Sequence, residues 1–370
     1  MGEKTRWEKS IKSRIDFHLR GTSRARRDDD FQWNWYTRFP TAKFVDLRRF
    51  LKRHLRPIGG AWRRGPSREW FSENLDALWE TRSLLADALS CSQFDDAILL
   101  RIAGYRRFYF GPEEFSDLFV VSQDVPFAAP GLPSTFLGSP LRDLALTSAT
   151  TGQALRLIAS EGMVQNHNRY RQYFARRGAV DFSPGHGDVV LDCGACVGDV
   201  GMLFASLIGD QGHVHMFDPI PVHIELCRLQ VARNPALASR VTIVPQAVGE
   251  RSNGVRLDTS DQTSREIKPN ASASDDMPFT SIDDYVQRTG CRVTHIKMDI
   301  EGGEGGALAG AGETISSRRP ILAISAYHRD DDLWTLRRQI SAICPAYRFH
   351  FGHHTPVQWE SVLYAVVPRG

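Results

Sequence analysis

No run of apolar residues approaches the roughly 18 that a membrane-spanning helix needs, so no helical span is expected. Positions 1–30 are charged and lack an apolar h-region, and no secretory signal is read there. Nor does a myristoylation signal fit, because Arg6 stands where Ser or Thr is required. Cysteine is scarce, with 6 in 370 residues. That usage suits a reducing compartment, and a cytoplasmic location is expected. Cys193 and Cys196 have CxxC spacing, yet no second CxxC or His pair accompanies them, so neither zinc nor a redox pair is favoured. No Gly-Lys-Ser/Thr follows the glycines at 302–312, which excludes a P-loop. Internal repeats are missing too.

Apolar residues make up 42% of the chain and aromatics 10%, enough for a substantial core. The net charge of +3 hides an asymmetry: residues 1–70 carry 19 Lys/Arg against 8 Asp/Glu, and the remainder 27 against 35. A basic arm of this kind can meet an anionic membrane surface at the inner face of a membrane, or another phosphate-rich partner. Its Trp7, Trp33, Trp35, Trp62 and Trp70 would suit a lipid interface, while the plainer reading is a solvated, partly ordered extension.

Three regions are expected. Residues 1–70 form a basic, aromatic-rich extension without a clean period, broken at Pro40, Pro57, Gly59 and Gly60. Residues 71–160 form a mainly helical accessory region, because Leu75, Leu78, Leu85, Ile98 and Ile102 recur at helical spacing between Asn74 and Ala103. Within it, 111–140 is rich in Pro, Gly and Ser and reads as loop. Residues 161–370 alternate short apolar runs with helical segments, which predicts a mainly parallel sheet covered on both faces. Its strands are expected at Val189–Cys193, His213–Asp218, Val241–Gln246, His295–Asp299, Ile321–Tyr327, Tyr347–Gly352 and Ser361–Val366. The polar stretch Asp258–Met277 is expected to cross over the site.

The most informative motif is Asp192-Cys193-Gly194-Ala195-Cys196-Val197-Gly198-Asp199, where an apolar strand passes through small residues into a helix. Glycine lets the backbone turn sharply and approach a ligand, and the carboxyl end of a first strand is where open α/β sheets bind ligands. A dinucleotide fingerprint needs G-x-G-x-x-G, and Cys196 occupies its second glycine position. Asp192 would repel a pyrophosphate and suit a ligand bearing an ammonium and a sulfonium. The loop therefore favours S-adenosylmethionine over NAD. Asp218, closing the second strand, is placed for ribose hydroxyls; before Pro219 it equally starts a turn. Gln246 and Ala247 end the third strand, where an adenine edge would lie. Tyr170 and Tyr173, ahead of the first strand, would close over the cofactor.

The loop resembles the first motif of FkbM-type methyltransferases, which often read DxGAxxGD. Ile296-Lys297-Met298-Asp299-Ile300-Glu301-Gly302-Gly303-Glu304 is similar to that family's IKxDxEGxE signature. Leu322–His328 with Asp332-Leu333-Trp334, and Glu360–Ala365, match two further stretches, and the resemblance spans roughly 75–367. It implies a class I methyltransferase fold, Rossmann-like, with a seven-stranded sheet whose last strand is antiparallel. It also implies O-methylation, with acceptors from polyketide macrocycles to bacterial glycans. Cys196 and the glycine-rich Gly303-Glu304-Gly305-Gly306 depart from the family pattern, and the first 70 residues match no part of it.

Asp299 and His328 end parallel strands and are the candidates for catalysis. A neutral imidazole can accept a hydroxyl proton, so His328 is expected as base, Asp299 as the group orienting the acceptor, and Glu301 beside them. Glu301 and Glu304, three apart, would share one face of a helical turn. They would bind acceptor hydroxyls or, with Asp299, a divalent cation, although acids in a first turn also serve the helix dipole. His353 and His354 are candidate substrate contacts in a loop. A sugar or glycan hydroxyl is the favoured acceptor, ahead of a polyketide or macrolide alcohol. A nucleic acid is disfavoured because the catalytic part is net acidic. A binding module without catalysis is the alternative of another class, and the oligomeric state is left open.

Overall fold

Period-two alternation in the apolar runs after residue 188 sends successive side chains to opposite faces of one sheet. Val190, Val214 and Met216 enter one core; Leu191, Cys193 and Phe217 enter the other. The computed structural model describes residues 2–19, 68–104, 107, 108, 110–136, 139–252 and 278–368. Seven strands pair in the order Arg348–His353, Ser361–Val366, Ile321–Ser325, His295–Met298, Val189–Cys193, His213–Phe217 and Val241–Val244. The five strands from Ile321–Ser325 to Val241–Val244 are mutually parallel. The last strand, Ser361–Val366, runs antiparallel to both neighbours. This is the expected Rossmann-like sheet, with strand ends within two residues of those read in the sequence.

Helices Asp199–Leu207 and Pro221–Ala232 follow the first and second strands, and Asp332–Ile343 leads toward Arg348–His353. The antiparallel strand begins where the parallel strands end. Residues before Ser361 therefore reach the same edge of the sheet as Gly194 and Asp299.

Two accessory regions differ from expectation. The accessory region 71–160 is helical only to Ala103, through Leu75–Ser83 and Ala88–Ala103. The break falls at Asp87, whose carboxylate caps the second helix by accepting from the Ser90 amide at 2.8 Å. Beyond it, Phe119–Pro126, Ser139–Ser148 and Ala154–Ser160 form an antiparallel sheet, and the first of these strands lies within 111–140, expected as loop. Its first strand is an edge with only Phe119 buried, so it shows no apolar alternation. Leu141, Leu144 and Leu146 of the middle strand share one buried core with helix Asp199–Leu207, against which the strand Ala154–Ser160 lies.

The first residues are not a solvated tail. Glu3–His18 is a helix that buries Trp7, Ile11, Ile15 and, just past its end, Leu19, at every fourth position. The indole of Trp7 donates to Asp95 at 2.7 Å, and Trp70 packs on Trp334 with ring centroids 5.8 Å apart. Of these candidates for a lipid interface, Trp7 is buried and Trp70 is half-buried against the core instead. Trp33, Trp35, Trp62 and the excursion Asp258–Met277 lie outside the described residues. No helix among the described residues is long and apolar enough to cross a membrane.

Candidate active site

The loop after the first strand is built from backbone. Gly194 and Gly198 hold φ of 83° and 82°, and Cys196 holds 53°. The second glycine position thus does require a left-handed backbone, and the cysteine adopts it at a cost of about 1–2 kcal/mol. A Cβ on Gly194 would fall 1.9 Å from the carbonyl oxygen of Asp299, so only glycine lets the two strand tips meet. Gly198 is the N-cap of helix Asp199–Leu207, and its missing side chain leaves room for Met216 and Cys227.

Asp192 does not face a ligand cation. Its carboxylate, with no exposed side-chain surface, pairs with Lys297 at 2.9 Å, the neighbour in register on the adjacent strand. Lys297 also donates to the Gly194 carbonyl at 2.6 Å and so props the loop. Asp218 accepts from the Cys196 amide at 2.8 Å through Oδ2, and from the Ile220 amide at 2.9 Å through Oδ1. His223 lies 3.1 Å from the same Oδ1. Asp218 therefore starts the turn and fixes the loop, while Oδ2 keeps a second lone pair for a hydroxyl donor. Asp199 lies 3.5 Å from His167 and is buried in the first turn of its helix. Gln246 is half-buried, and Ala247 pairs with Phe279 in a two-strand ladder. Tyr170 is buried, with its carbonyl accepting from His354 at 2.8 Å.

A second group of polar side chains lies past the strands His295–Met298 and Ile321–Ser325. Asp299 accepts from the Tyr173 hydroxyl at 2.8 Å and from the Tyr327 hydroxyl at 3.0 Å. Tyr173 is buried and Tyr327 half-buried, and desolvation and then Asp299's charge push both phenols well above the usual tyrosine range, so they stay neutral donors. His328 Nε2 lies 3.4 Å from Asp299 Oδ1 and 3.6 Å from Glu301 Oε2, and its Nδ1 lies 2.9 Å from Glu304 Oε1. Arg101, from the helix Ala88–Ala103, grips the carbonyls of Ala326 and Asp330 on either side. Burial works against a charged imidazole there, but Glu304, Glu301 and Asp299 outweigh it and raise His328 to about 10. Without another cation the ring is protonated, so the expected neutral base is corrected.

Glu301 and Glu304 do not share a helical turn. Glu301 has φ 54° and precedes helix Glu304–Ala309. Glu304 is buried and accepts from the Ile300 amide at 2.9 Å, so it serves the helix start and His328 rather than a substrate. His353 is likewise corrected. It ends a strand, is buried beside Phe110, and meets the Ser361 hydroxyl at 2.8 Å; burial lowers it to about 3. His354 is buried against the Tyr364 hydroxyl at 2.7 Å.

Four residues escaped the sequence reading: Lys297, Tyr173 as a partner of Asp299, Tyr327 and Glu360. Glu360 is buried with φ 65° and takes a hydrogen bond from Gln172. Burial first, then the nearby Asp299 charge, raise its carboxyl to about 8, so it holds its proton at neutral pH.

Residues 192–354 match the family model of the methyltransferase FkbM domain, and the resemblance read from the motifs is borne out over that segment. No curated protein matches the sequence. The fold is similar to methyltransferase FkbM from Methylobacillus flagellatus KT, with TM-score 0.53 and 23% identity, over 80% of this chain and 59% of that one. The present chain thus spans less than two thirds of that structure's length. Weaker likenesses include Aeropyrum pernix fibrillarin with natively bound S-adenosyl-L-methionine (TM-score 0.36, 10% identity, 67% of this chain and 99% of that one). An O-methyltransferase from Bacillus cereus in complex with SAH matches with TM-score 0.33 and 14% identity, over 49% of this chain and 74% of that one.

Proposed function

We propose that this chain, whose residues 192–354 match the methyltransferase FkbM domain, moves a methyl group from S-adenosylmethionine to a hydroxyl oxygen of a sugar or glycan. One observation carries the reading: the Gly194 backbone lies against the Asp299 carbonyl, so close that a Cβ would sit 1.9 Å from it. The loop that would hold the cofactor and the side chains that would hold the acceptor meet at that contact.

S-adenosylmethionine, when bound, supplies an electrophilic methyl carbon on a sulfonium. Gly194, Cys196 and Gly198 offer it backbone rather than side chains, and Asp218 Oδ2 has a lone pair for a ribose hydroxyl. Asp199, Tyr170, Gln246 and Ala247 complete the expected pocket. The acids around the loop favour a cationic ligand over a pyrophosphate. Asp299, its two oxygens aimed by Tyr173 and Tyr327, accepts the acceptor's hydroxyl proton. Glu301, with 36% of its side chain exposed, meets the acceptor's other hydroxyls. Holding an oxygen in line while excluding water supplies much of the rate in such a displacement.

The test is a thermal melt with S-adenosylhomocysteine beside one with NAD at equal concentration. A ligand at about 100 times its Kd adds roughly 2.7 kcal/mol, a shift of several degrees. The homocysteine compound alone should raise the midpoint. A shift with NAD alone would replace the reading with an oxidoreductase, and no shift with either would favour a module without catalysis. Labelled-methyl transfer to an oligosaccharide panel then tests the acceptor class, which falls if only macrolide alcohols are labelled.

A further inference from the structure

The donors around His328 stand at separations that hydrogen bonding does not explain. An imidazolium paired with a carboxylate closes to about 2.7–2.9 Å. Nε2 instead lies 3.4 Å from Asp299 Oδ1 and 3.6 Å from Glu301 Oε2, and it makes no hydrogen bond. The His328 side chain is only 7% exposed, so water does not take the role of the missing partner freely. Nitrogen and oxygen ligands about 2.1 Å from a metal ion stand roughly 3.0 Å apart at right angles and about 3.4 Å apart in a tetrahedron. The two spacings from Nε2 are close to these. Ligand atoms of Asp299, Glu304 and His328 all lie within 4.8 Å of one another.

We propose that Asp299, Glu301 and His328 bind one divalent first-row ion of the Mn²⁺ or Fe²⁺ kind, with Glu304 orienting the imidazole from behind. Glu304 Oε1 faces Nδ1 at 2.9 Å. A carboxylate at that distance favours the proton on Nδ1 once an ion occupies Nε2, as partners behind metal-bound histidines do. Tyr173 and Tyr327 hold Asp299 in the same way, through hydroxyls at 2.8 and 3.0 Å. The left-handed backbone of Glu301, φ 54°, is an unfavourable conformation for a residue with a side chain, and it turns that carboxylate back toward the ring. Mixed imidazole and carboxylate donors suit these ions better than Ca²⁺ or Mg²⁺, which prefer oxygen alone. Glu301 brings the site to the surface, so an acceptor oxygen could complete the coordination and be polarised by the ion. The site stands on its own geometry; its role toward an acceptor rests on the methyl-transfer reading.

The probe is Mn²⁺ added to the full chain after chelation and dialysis, with binding read by electron paramagnetic resonance. About one ion per chain is expected, with nitrogen coupling from an imidazole in the bound spectrum. His328→Ala and Asp299→Asn should abolish binding, and Glu304→Gln should weaken it about 10–100-fold. No binding at millimolar Mn²⁺, or a bound spectrum without nitrogen coupling, overturns the site even if a variant fails to fold. A melt with S-adenosylhomocysteine on the same sample separates the two conclusions. A shift without Mn²⁺ binding sinks only the metal site; Mn²⁺ binding without a shift sinks only the methyl-transfer reading.

Discussion

Asp192 and Asp299 follow the same design, a carboxylate at the tip of a central parallel strand, yet they end in opposite circumstances. Asp192 meets one cation, Lys297, at 2.9 Å, and the pair is closed to solvent. Asp299 is one strand away and two residues beyond Lys297, but it shares a single histidine with Glu301 and Glu304. Tyr173 stands between the two groups: Lys297 Nζ lies 5.3 Å from the centre of its ring, and its hydroxyl donates to Asp299. Matched charge makes a strut. Surplus charge of one sign, held by neutral donors, makes a place for something that the chain does not supply.

If that distinction is right, the largest stability loss comes from unmatching the strut. Lys297→Met leaves Asp192 charged in the interior and should cost about 3–5 kcal/mol, read as a fall in the urea midpoint. Replacing both residues, Asp192→Leu with Lys297→Met, should return stability to near the natural protein, because a packed apolar pair can replace a buried ion pair. Affinity for S-adenosylhomocysteine should not return with it, since the Gly194 carbonyl has lost its donor. A double variant as unstable as Lys297→Met alone would mean that the pair does more than balance charge.

The surplus cluster should respond the other way. Asp299→Asn removes one of several crowded acids and keeps the shape, so the unfolding free energy read from urea titration should change by less than about 1 kcal/mol. Turnover with a competent acceptor should fall about 10²–10⁴-fold, the range for losing a positioned proton acceptor. A variant that loses stability and keeps turnover would make Asp299 a second strut and erase the contrast.

Much of this was legible because tips of parallel strands share one edge. Asp192, Asp218, Asp299 and His328 each follow an apolar run, so their gathering needed only the sheet. Pairing was harder to read. Lys297 lies in register with Asp192, and aligning the two strand tips would have found it, but Asp192 was assigned to the ligand and Lys297 to nothing. Glu360 precedes a strand that had been expected to run antiparallel, which alone brings it to the same edge. Backbone conformation was out of reach: nothing in Glu301-Gly302-Gly303 says which residue goes left-handed. In Glu3–His18, Trp7, Ile11 and Ile15 are spaced for a helix, but the charges between them drew the reading toward a solvated arm.

Glu360 gives the sharpest test of the surplus. Its carboxyl is buried, hydrogen-bonded by Gln172, and sits in the field of Asp299 and Glu301, with His328 opposing them. The folded value of about 8 exceeds the ordinary 4.5. Below pH 4.5 both folded and unfolded chains hold the proton, and its contribution to stability is complete. Between 4.5 and 8 the unfolded chain releases the proton while the folded one keeps it, so stability falls as pH rises. The loss should approach about 1.4 kcal/mol per pH unit. Glu360→Gln, which keeps the shape and cannot ionise, should lack this slope. Urea titrations of both proteins at pH 5, 6, 7 and 8, without added metal, should therefore diverge steadily in favour of the variant. Parallel curves would mean that Glu360 ionises at its ordinary pH, and that the acids around Asp299 are balanced as well as Asp192 is.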